Sequence, residues 1–133
     1  MKKITLDTFG FAALLRGKAN VLLILEEADV IYVPVFVLAE MFTGIRDQQN
    51  NEENLFLINN FLSKNNVKII SPTTQTAEIF SELKVQMPRD KPILSVHDIW
   101  IAALNMEHGA RLLTLDKNFL KVPGLLMFHE VVA

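Results

Sequence analysis

The sequence predicts an α/β fold: one domain over residues 1–133, with a central parallel sheet of about five strands flanked by helices. Three observations carry this. Short apolar runs alternate with longer helical patterns along the chain, and no Asn-Gly or Asp-Gly pair marks a hairpin. Residues 30–33, VIYV, form an uninterrupted apolar run, the composition of a strand covered on both faces, as in parallel sheets. A chain of 133 residues, half of them hydrophobic, can bury about two thirds of its unfolded surface, enough for one core without staples.

In chain order, residues 3–6 read as the first strand, ending at Asp7. Residues 11–15 continue as an apolar helical stretch closed near Gly17, and 19–28 as a second short helix. The strand at 30–33 is stopped by Pro34, and a helix follows over 35–45 with Gly44 near its end. Residues 47–54, DQQNNEEN, are the most polar stretch and read as a flexible surface loop. Residues 54–64 form an amphipathic helix with Leu55, Ile58 and Leu62 on one face, and 67–70 a strand. A helix over 73–87 turns Ala77, Phe80 and Leu83 inward, and a loop spans 87–92. A helix over 98–108 ends at Gly109, a natural C-terminal cap; strands follow at 111–115 and 125–128. Tyr32 reads as core, and Trp100 as core or dimer interface rather than a base-stacking platform.

Composition removes several classes. There is no cysteine, so disulfide scaffolds, thiolate metal sites and cysteine nucleophiles are excluded. No uncharged apolar run approaches the roughly 20 residues that span a bilayer, so no membrane partner is expected. The opening MKKITLD meets an acid before an apolar signal stretch can develop, which predicts a cytoplasmic protein. The net charge of −2 argues against binding nucleic acid by bulk charge. Setting four clustered acids aside leaves 11 acids of the 15 against 13 bases, so the rest of the chain is slightly basic.

Those four acids stand in telling places. Asp7 and Asp116 directly follow strands, each also a natural cap or turn residue. Asp98 stands three residues after Ser95, a capping-box spacing that fixes where its carboxylate points. Glu40 sits among Val35–Ala39, Met41 and Phe42, which predicts a buried helix and a buried carboxylate in need of a partner. In open α/β sheets, sites form beyond the carboxyl ends of strands near the topological switch point, and all four acids can converge there. Crowded carboxylates should titrate high through mutual repulsion and, for Glu40, desolvation. Hard oxygen donors of this kind suit Mg²⁺ or Mn²⁺, which can activate water and neutralise a phosphodiester.

At the motif level the chain resembles the PIN-domain ribonucleases, and within them the VapC toxins of toxin–antitoxin pairs. LDTFGFAALLRG at 6–17 resembles their first motif and YVPVFVLAEMFTGI at 32–45 their second, with Glu40 as its acid. HDIWIAALNMEHGARLLTLDKNF at 97–119 resembles the third and fourth, with Asp98 and Asp116, and KVPGL at 121–125 also fits. The resemblance implies a PIN-like fold and a Mg²⁺- or Mn²⁺-dependent endoribonuclease whose catalytic and metal-holding residues are Asp7, Glu40, Asp98 and Asp116. It also implies a homodimer, a cognate VapB-type antitoxin and a structured RNA substrate such as tRNA or rRNA. Thr8 and Thr114 fall where support for the acids is expected, and Arg16, Lys18, Arg46 and Lys117 are candidate RNA contacts.

The chain departs from the pattern at two positions. Phe9 stands where the family places a small polar residue, and His97 stands where Asn is common; His97 reads as a solvent-facing residue of the helix cap. The first departure motivates an alternative, a catalytically impaired PIN-fold module that binds RNA or protein. A phosphotransfer domain of the haloacid-dehalogenase type is set aside because Phe9 occupies the place of its second Asp, and no Gly-Lys-Ser/Thr loop is present.

Overall fold

The computed structural model describes residues 1–48 and 51–128. Four parallel strands form the sheet in the order β3-β2-β1-β4: β1 (Lys3–Leu6), β2 (Val30–Pro34), β3 (Val67–Ile70) and β4 (Arg111–Leu113). Among the described residues six α-helices flank it: α1 (Thr8–Leu15), α2 (Ala19–Glu26), α3 (Val35–Arg46), α4 (Glu52–Leu62), α5 (Thr74–Gln86) and α6 (Val96–Glu107). The α/β class and the parallel sheet agree with the sequence reading. Among the described residues the fifth strand expected at 125–128 reduces to one parallel bridge between Leu112 and Met127. No single described helix is long and apolar enough to cross a membrane.

The strand order fixes where a site can form. The chain runs outward from β1 to β2 and β3, then crosses back to place β4 on the free side of β1. The switch point therefore lies between β1 and β4, and their carboxyl ends lead directly to Asp7 and Asp116. Ile4, Leu6, Val33, Leu112 and Leu113 are buried, so the sheet is covered on both faces as its apolar strands predict.

Several helices bury other residues than their patterns suggest. α6 is the helix apolar almost all round: Ile99 and the run Ile101, Ala102, Ala103, Leu104 and Asn105 are buried, with Trp100 half-buried between them. α3 buries only Val37, Leu38 and Ile45, and Glu40 stands on its exposed side. The expectation of a buried Glu40 is thus corrected: the apolar neighbours on its outer side are themselves partly open to solvent. In α5 the inward residues are Thr76 and Leu83, with Phe80 half-buried and Ala77 exposed. In α4 Ile58 and Phe61 are buried whereas Leu55 is exposed. The polar stretch expected as a loop is shorter than read: residues 49 and 50 lie outside the described residues, and α4 has begun by Glu52. Tyr32 is half-buried against the His108 ring, and Trp100 stacks on Phe80 with centroids 4.2 Å apart, packing α6 on α5.

Gly10 is the residue that seats α1 on the sheet. A Cβ there would collide with the Leu113 carbonyl oxygen and come within 3.2 Å of Asp7 Oδ1. Only a residue without a side chain lets the first turn of α1 lie against the end of β4. Gly44, inside α3, has nothing within 4 Å of the same position. Gly10→Ala should therefore destabilise the fold by about 1–3 kcal/mol through overpacking. Gly44→Ala should stabilise it by about 0.5–1 kcal/mol through helix propensity. Urea denaturation of both variants checks the pair, and equal effects would contradict the close packing of α1 on β4.

Candidate active site

Asp7 is the buried carboxylate of the site. It ends β1, caps α1 and is 2% exposed. A carboxylate this enclosed needs donors on its oxygens. Oδ1 accepts from the Gly10 N–H at 2.7 Å and Oδ2 accepts from the Thr114 hydroxyl. The Thr114 oxygen in turn accepts the Asp116 N–H at 3.0 Å, so one side chain ties Asp7 to the loop that carries Asp116. Asp116 opens the 3₁₀ turn Lys117–Lys121, its Oδ1 accepting from the Asn118 N–H at 2.9 Å.

Asp98 enters from α6. Ser95 caps that helix and accepts the Asp98 N–H at 3.2 Å, while its hydroxyl donates to Asp98 Oδ2 at 3.1 Å. The S-x-x-D spacing thus does both jobs expected of it: it starts the helix and orients the carboxylate. Glu40 closes the site from α3. Its Oε2 accepts from the Thr8 hydroxyl at 2.6 Å, and its side chain remains 47% exposed. His97 Nε2 lies 3.0 Å from Glu40 Oε1 but outside hydrogen-bond geometry, so the two make an ion pair only when the ring is protonated. The reading of His97 as solvent-facing is corrected: the ring is half-buried between Glu40 and the edge of Phe36, because the second residue of α6 faces α3.

The acids sense one another. Burial pushes the Asp7 carboxyl up to about 6; the bonds from Thr114 and Gly10 pull it down, and the charges of Asp98 and Asp116 add to the rise. Asp98 is also raised, first by burial; Ser95 and His97 oppose that, and Asp116 and Glu40 reinforce it. Raised carboxylates were expected from crowding. The larger cause is desolvation, and it acts on Asp7 and Asp98.

Among the described residues no three His, Asp or Glu side chains converge closely enough to share one ion as they stand. The donor set is nonetheless one of hard oxygens, and Mg²⁺ is commonly held by only one or two carboxylates beside its retained water. One or two of Asp7, Asp98 and Asp116 could therefore hold a divalent ion of that kind, with Glu40 on the solvent side. Of the other expected residues, Thr8 and Thr114 do support acids. Arg16 lines a cleft of about 380 Å³ with Thr8 and Glu40, and Lys117 lines another with Phe9 and Asp116. Lys18 and Arg46 are exposed but line neither cleft. Sequence reasoning missed the positioning role of Gly10; its one visible signal was a glycine in the first turn of a helix, where it costs stability unless packing requires it.

The sign of the pH effect in the metal-free protein follows from Asp7. Its folded pKa, about 6, lies above the unfolded carboxylate value, so its contribution to stability is present below the unfolded value and lost as pH rises through about 6. At about 1.4 kcal/mol for each pH unit crossed, the loss reaches at most about 3 kcal/mol. Asp7→Asn should flatten this dependence and match or exceed the wild-type stability at neutral pH. Chemical denaturation across the window measures it. A variant with the wild-type pH dependence would show that Asp7 is not the raised group.

Comparison with known proteins agrees with this fold. Residues 4–125 match the family model of the PIN domain. Ribonuclease VapC2 of Rickettsia felis is 27% identical over 109 residues, covering 81% of this chain and 80% of that protein. In fold, the chain is similar to VapBC2 of Rickettsia felis bound to a DNA fragment from its promoter (TM-score 0.83, 23% identity, 95% of this chain and 97% of that one). It is similar also to DNA-bound VapBC of Salmonella typhimurium (TM-score 0.82, 20% identity, 96% and 98%). A third similar structure is VapC20 of Mycobacterium tuberculosis, a sarcin–ricin loop cleaving toxin (TM-score 0.69, 19% identity, 92% and 96%). With nearly its whole length matched by one family model, and with the acids of all four resembling motifs at one edge of its sheet, the chain belongs to the PIN domain family.

Proposed function

We propose that this chain is a VapC-type toxin, a Mg²⁺- or Mn²⁺-dependent endoribonuclease that hydrolyses RNA phosphodiester bonds at Asp7, Glu40, Asp98 and Asp116. One observation carries the proposal: acids distant in sequence gather at the switch point of a parallel sheet, Asp7 tied to the Asp116 loop through Thr114 and Glu40 bound by Thr8 beside the α6 turn that carries Asp98. The similarity to Ribonuclease VapC2 supports the same reading.

Asp7, Asp98 and Asp116 would hold the ion. Such an ion supplies an activated water and offsets charge on the phosphodiester. The chain's own residues do the rest. Thr114 and Gly10 keep Asp7 oriented, Ser95 orients Asp98, and Thr8 holds Glu40 where its open side can accept a proton. Arg16 and Lys117 stand at the two clefts beside the acids and can hold the RNA backbone. The alternative of an impaired binding module rested on Phe9 in place of a polar residue. It loses that motive, since both Asp7 oxygens take their donors from Gly10 and Thr114.

Two partners accompany the proposal. One is a second copy of the chain. The other is a VapB-type antitoxin that sets a basic side chain, with Arg's bidentate fork, among the acids. The similar VapBC assemblies motivate the antitoxin, and the motif-level resemblance motivates the dimer. Light scattering at tens of micromolar should give a dimer mass, a range in which standard interfaces stay closed. A complex that inhibits cleavage with the four acids open to solvent would refute the basic-insertion mode.

The central test pairs thermal melting with a cleavage assay. Mg²⁺ or Mn²⁺ at a hundredfold excess over its dissociation constant should stabilise the wild type by about 2.7 kcal/mol. Asp98→Asn keeps much of the helix cap, so the metal-free variant should be as stable as wild type or more so. It should lose most of the metal-induced stabilisation and most RNA cleavage. Wild-type cleavage by Asp98→Asn in the presence of metal would overturn the site.

A further inference from the structure

The first turn of α1 sends three consecutive side chains three ways. Thr8 reaches Glu40, Gly10 lies on the backbone of β4, and Phe9 between them projects outward. Phe9 is 55% exposed and enters no aromatic or cation–π pair among the described residues. Most other large rings near the sheet are engaged: Phe11 meets Phe61 edge-on, and Phe36, His97, Trp100 and Phe80 form one column. One exposed phenylalanine needs no explanation by itself. Its setting does. Phe9 lines a cleft of about 390 Å³ with Leu115, Asp116 and Lys117, so an open ring, an acid of the site and a cation share one recess.

We propose that Phe9 is a specificity-determining residue on which the RNA stacks an unpaired base next to the scissile phosphate. The inference rests on the ribonuclease reading and goes beyond it, because it names the class of RNA that fits. A phosphodiester at the acids carries its neighbouring nucleotide across the rim where Phe9 stands, and Lys117 can take the adjoining phosphate. Base faces stack on aromatic rings regardless of sequence, so such a platform favours unpaired nucleotides without selecting one base. A base held in a duplex cannot reach the ring, and RNA is read chiefly where its bases are splayed out in loops, bulges and ends. The ring is also held ready. The Asp7–Gly10 bond and the seat of Gly10 on β4 fix the backbone on either side of residue 9, so little order is lost on binding. A polar residue here would have no role in holding Asp7, whose oxygens are already served, and this leaves the position free to contact substrate.

The test uses the full chain and a random-sequence single-stranded RNA carrying a fluorescent purine, with the same RNA annealed into a duplex as its counterpart. Binding is measured on Asp98→Asn so that the RNA stays intact, with and without Phe9 substitutions; cleavage is measured on the chain with Asp98 present. Phe9→Ala should weaken single-strand binding roughly 5- to 150-fold, the range of one base–aromatic stack, and abolish the fluorescence change. Phe9→Trp should restore both. Phe9→Leu, apolar but without a π face, should behave as Phe9→Ala, and the duplex should bind weakly to all variants. The melting temperature and its shift with metal should not move, since Phe9 is exposed and its side chain offers no metal-binding atom. Unchanged binding by Phe9→Ala, or full rescue by Phe9→Leu, overturns the stacking role while cleavage by the wild type leaves the nuclease reading intact. Loss of dimer or antitoxin binding in Phe9→Ala with RNA binding unchanged also overturns it, in favour of a protein contact. RNA that binds through Phe9 but is not cut by the wild type with either metal overturns the nuclease reading and sustains the platform. A wild type that neither binds nor cuts RNA overturns both.

Discussion

The approach of Gly10 to the carbonyl of Leu113 is the constraint on which the rest of the site depends. It brings the amino end of α1 against the carboxyl end of β4, two elements roughly 100 residues apart in the chain. From that contact follow the burial of Asp7, its bond from Thr114 and the link from Thr114 to the Asp116 backbone. The burial is costly for a carboxylate, and the fold meets the cost by placing a backbone donor on one oxygen and a hydroxyl on the other. A carboxylate is thereby held in a fixed orientation where water reaches it poorly.

The other two acids are held by a different logic. Glu40 stands on a helix that leaves its strand with no intervening loop, Pro34 closing β2 and serving as the cap residue of α3. Its position relative to the sheet is therefore set by strand register, while its exposure keeps it adaptable. Asp98 is fixed by a helix cap on the most deeply buried helix of the molecule. The four acids thus span a range from enclosed to open, and that gradient, rather than equal crowding, shapes their electrostatics.

The architecture was legible in the sequence because its signals are local. Apolar strands, the Pro34 stop, the Ser95–Asp98 spacing and Gly109 each report on their own neighbourhood. Burial of individual side chains was less legible. Glu40 lies in an apolar stretch, yet which side of α3 meets the core depends on where α1 and α4 pack, and the stretch is too uniformly apolar to show it. Leu55 was misplaced for the same reason, in the run LFLI, whereas in the more polar α5 the buried place beside Ala77 is taken by Thr76. Asp7, Asp98 and Asp116 were found because each follows a strand or opens a helix, and Glu40 because it is an acid within an apolar stretch. The residues that hold Asp7 were harder to find: Thr114 reads equally as an ordinary strand residue, and the value of Gly10 lies in what is absent from it. His97 facing Glu40 is a tertiary contact between α6 and α3 with no signature in either segment.

The single bridge at Met127 matters to the sheet's outer border. Beyond β4 the sheet would present unpaired backbone groups, an invitation to strands from other molecules. Leu112 instead donates to the Leu126 carbonyl at 2.8 Å and accepts from the Phe128 N–H at 3.1 Å, and Asn105 Nδ2 adds a third bond to Leu126 at 3.3 Å. The opposite border, β3, is left to an exposed charge, Lys68, beside exposed Ile69. One border is shuttered and the other only deterred. The shuttered one is the strand that seats Gly10 and leads into Thr114, so the short closing segment steadies, from outside the sheet, the bond that keeps Asp7 in place.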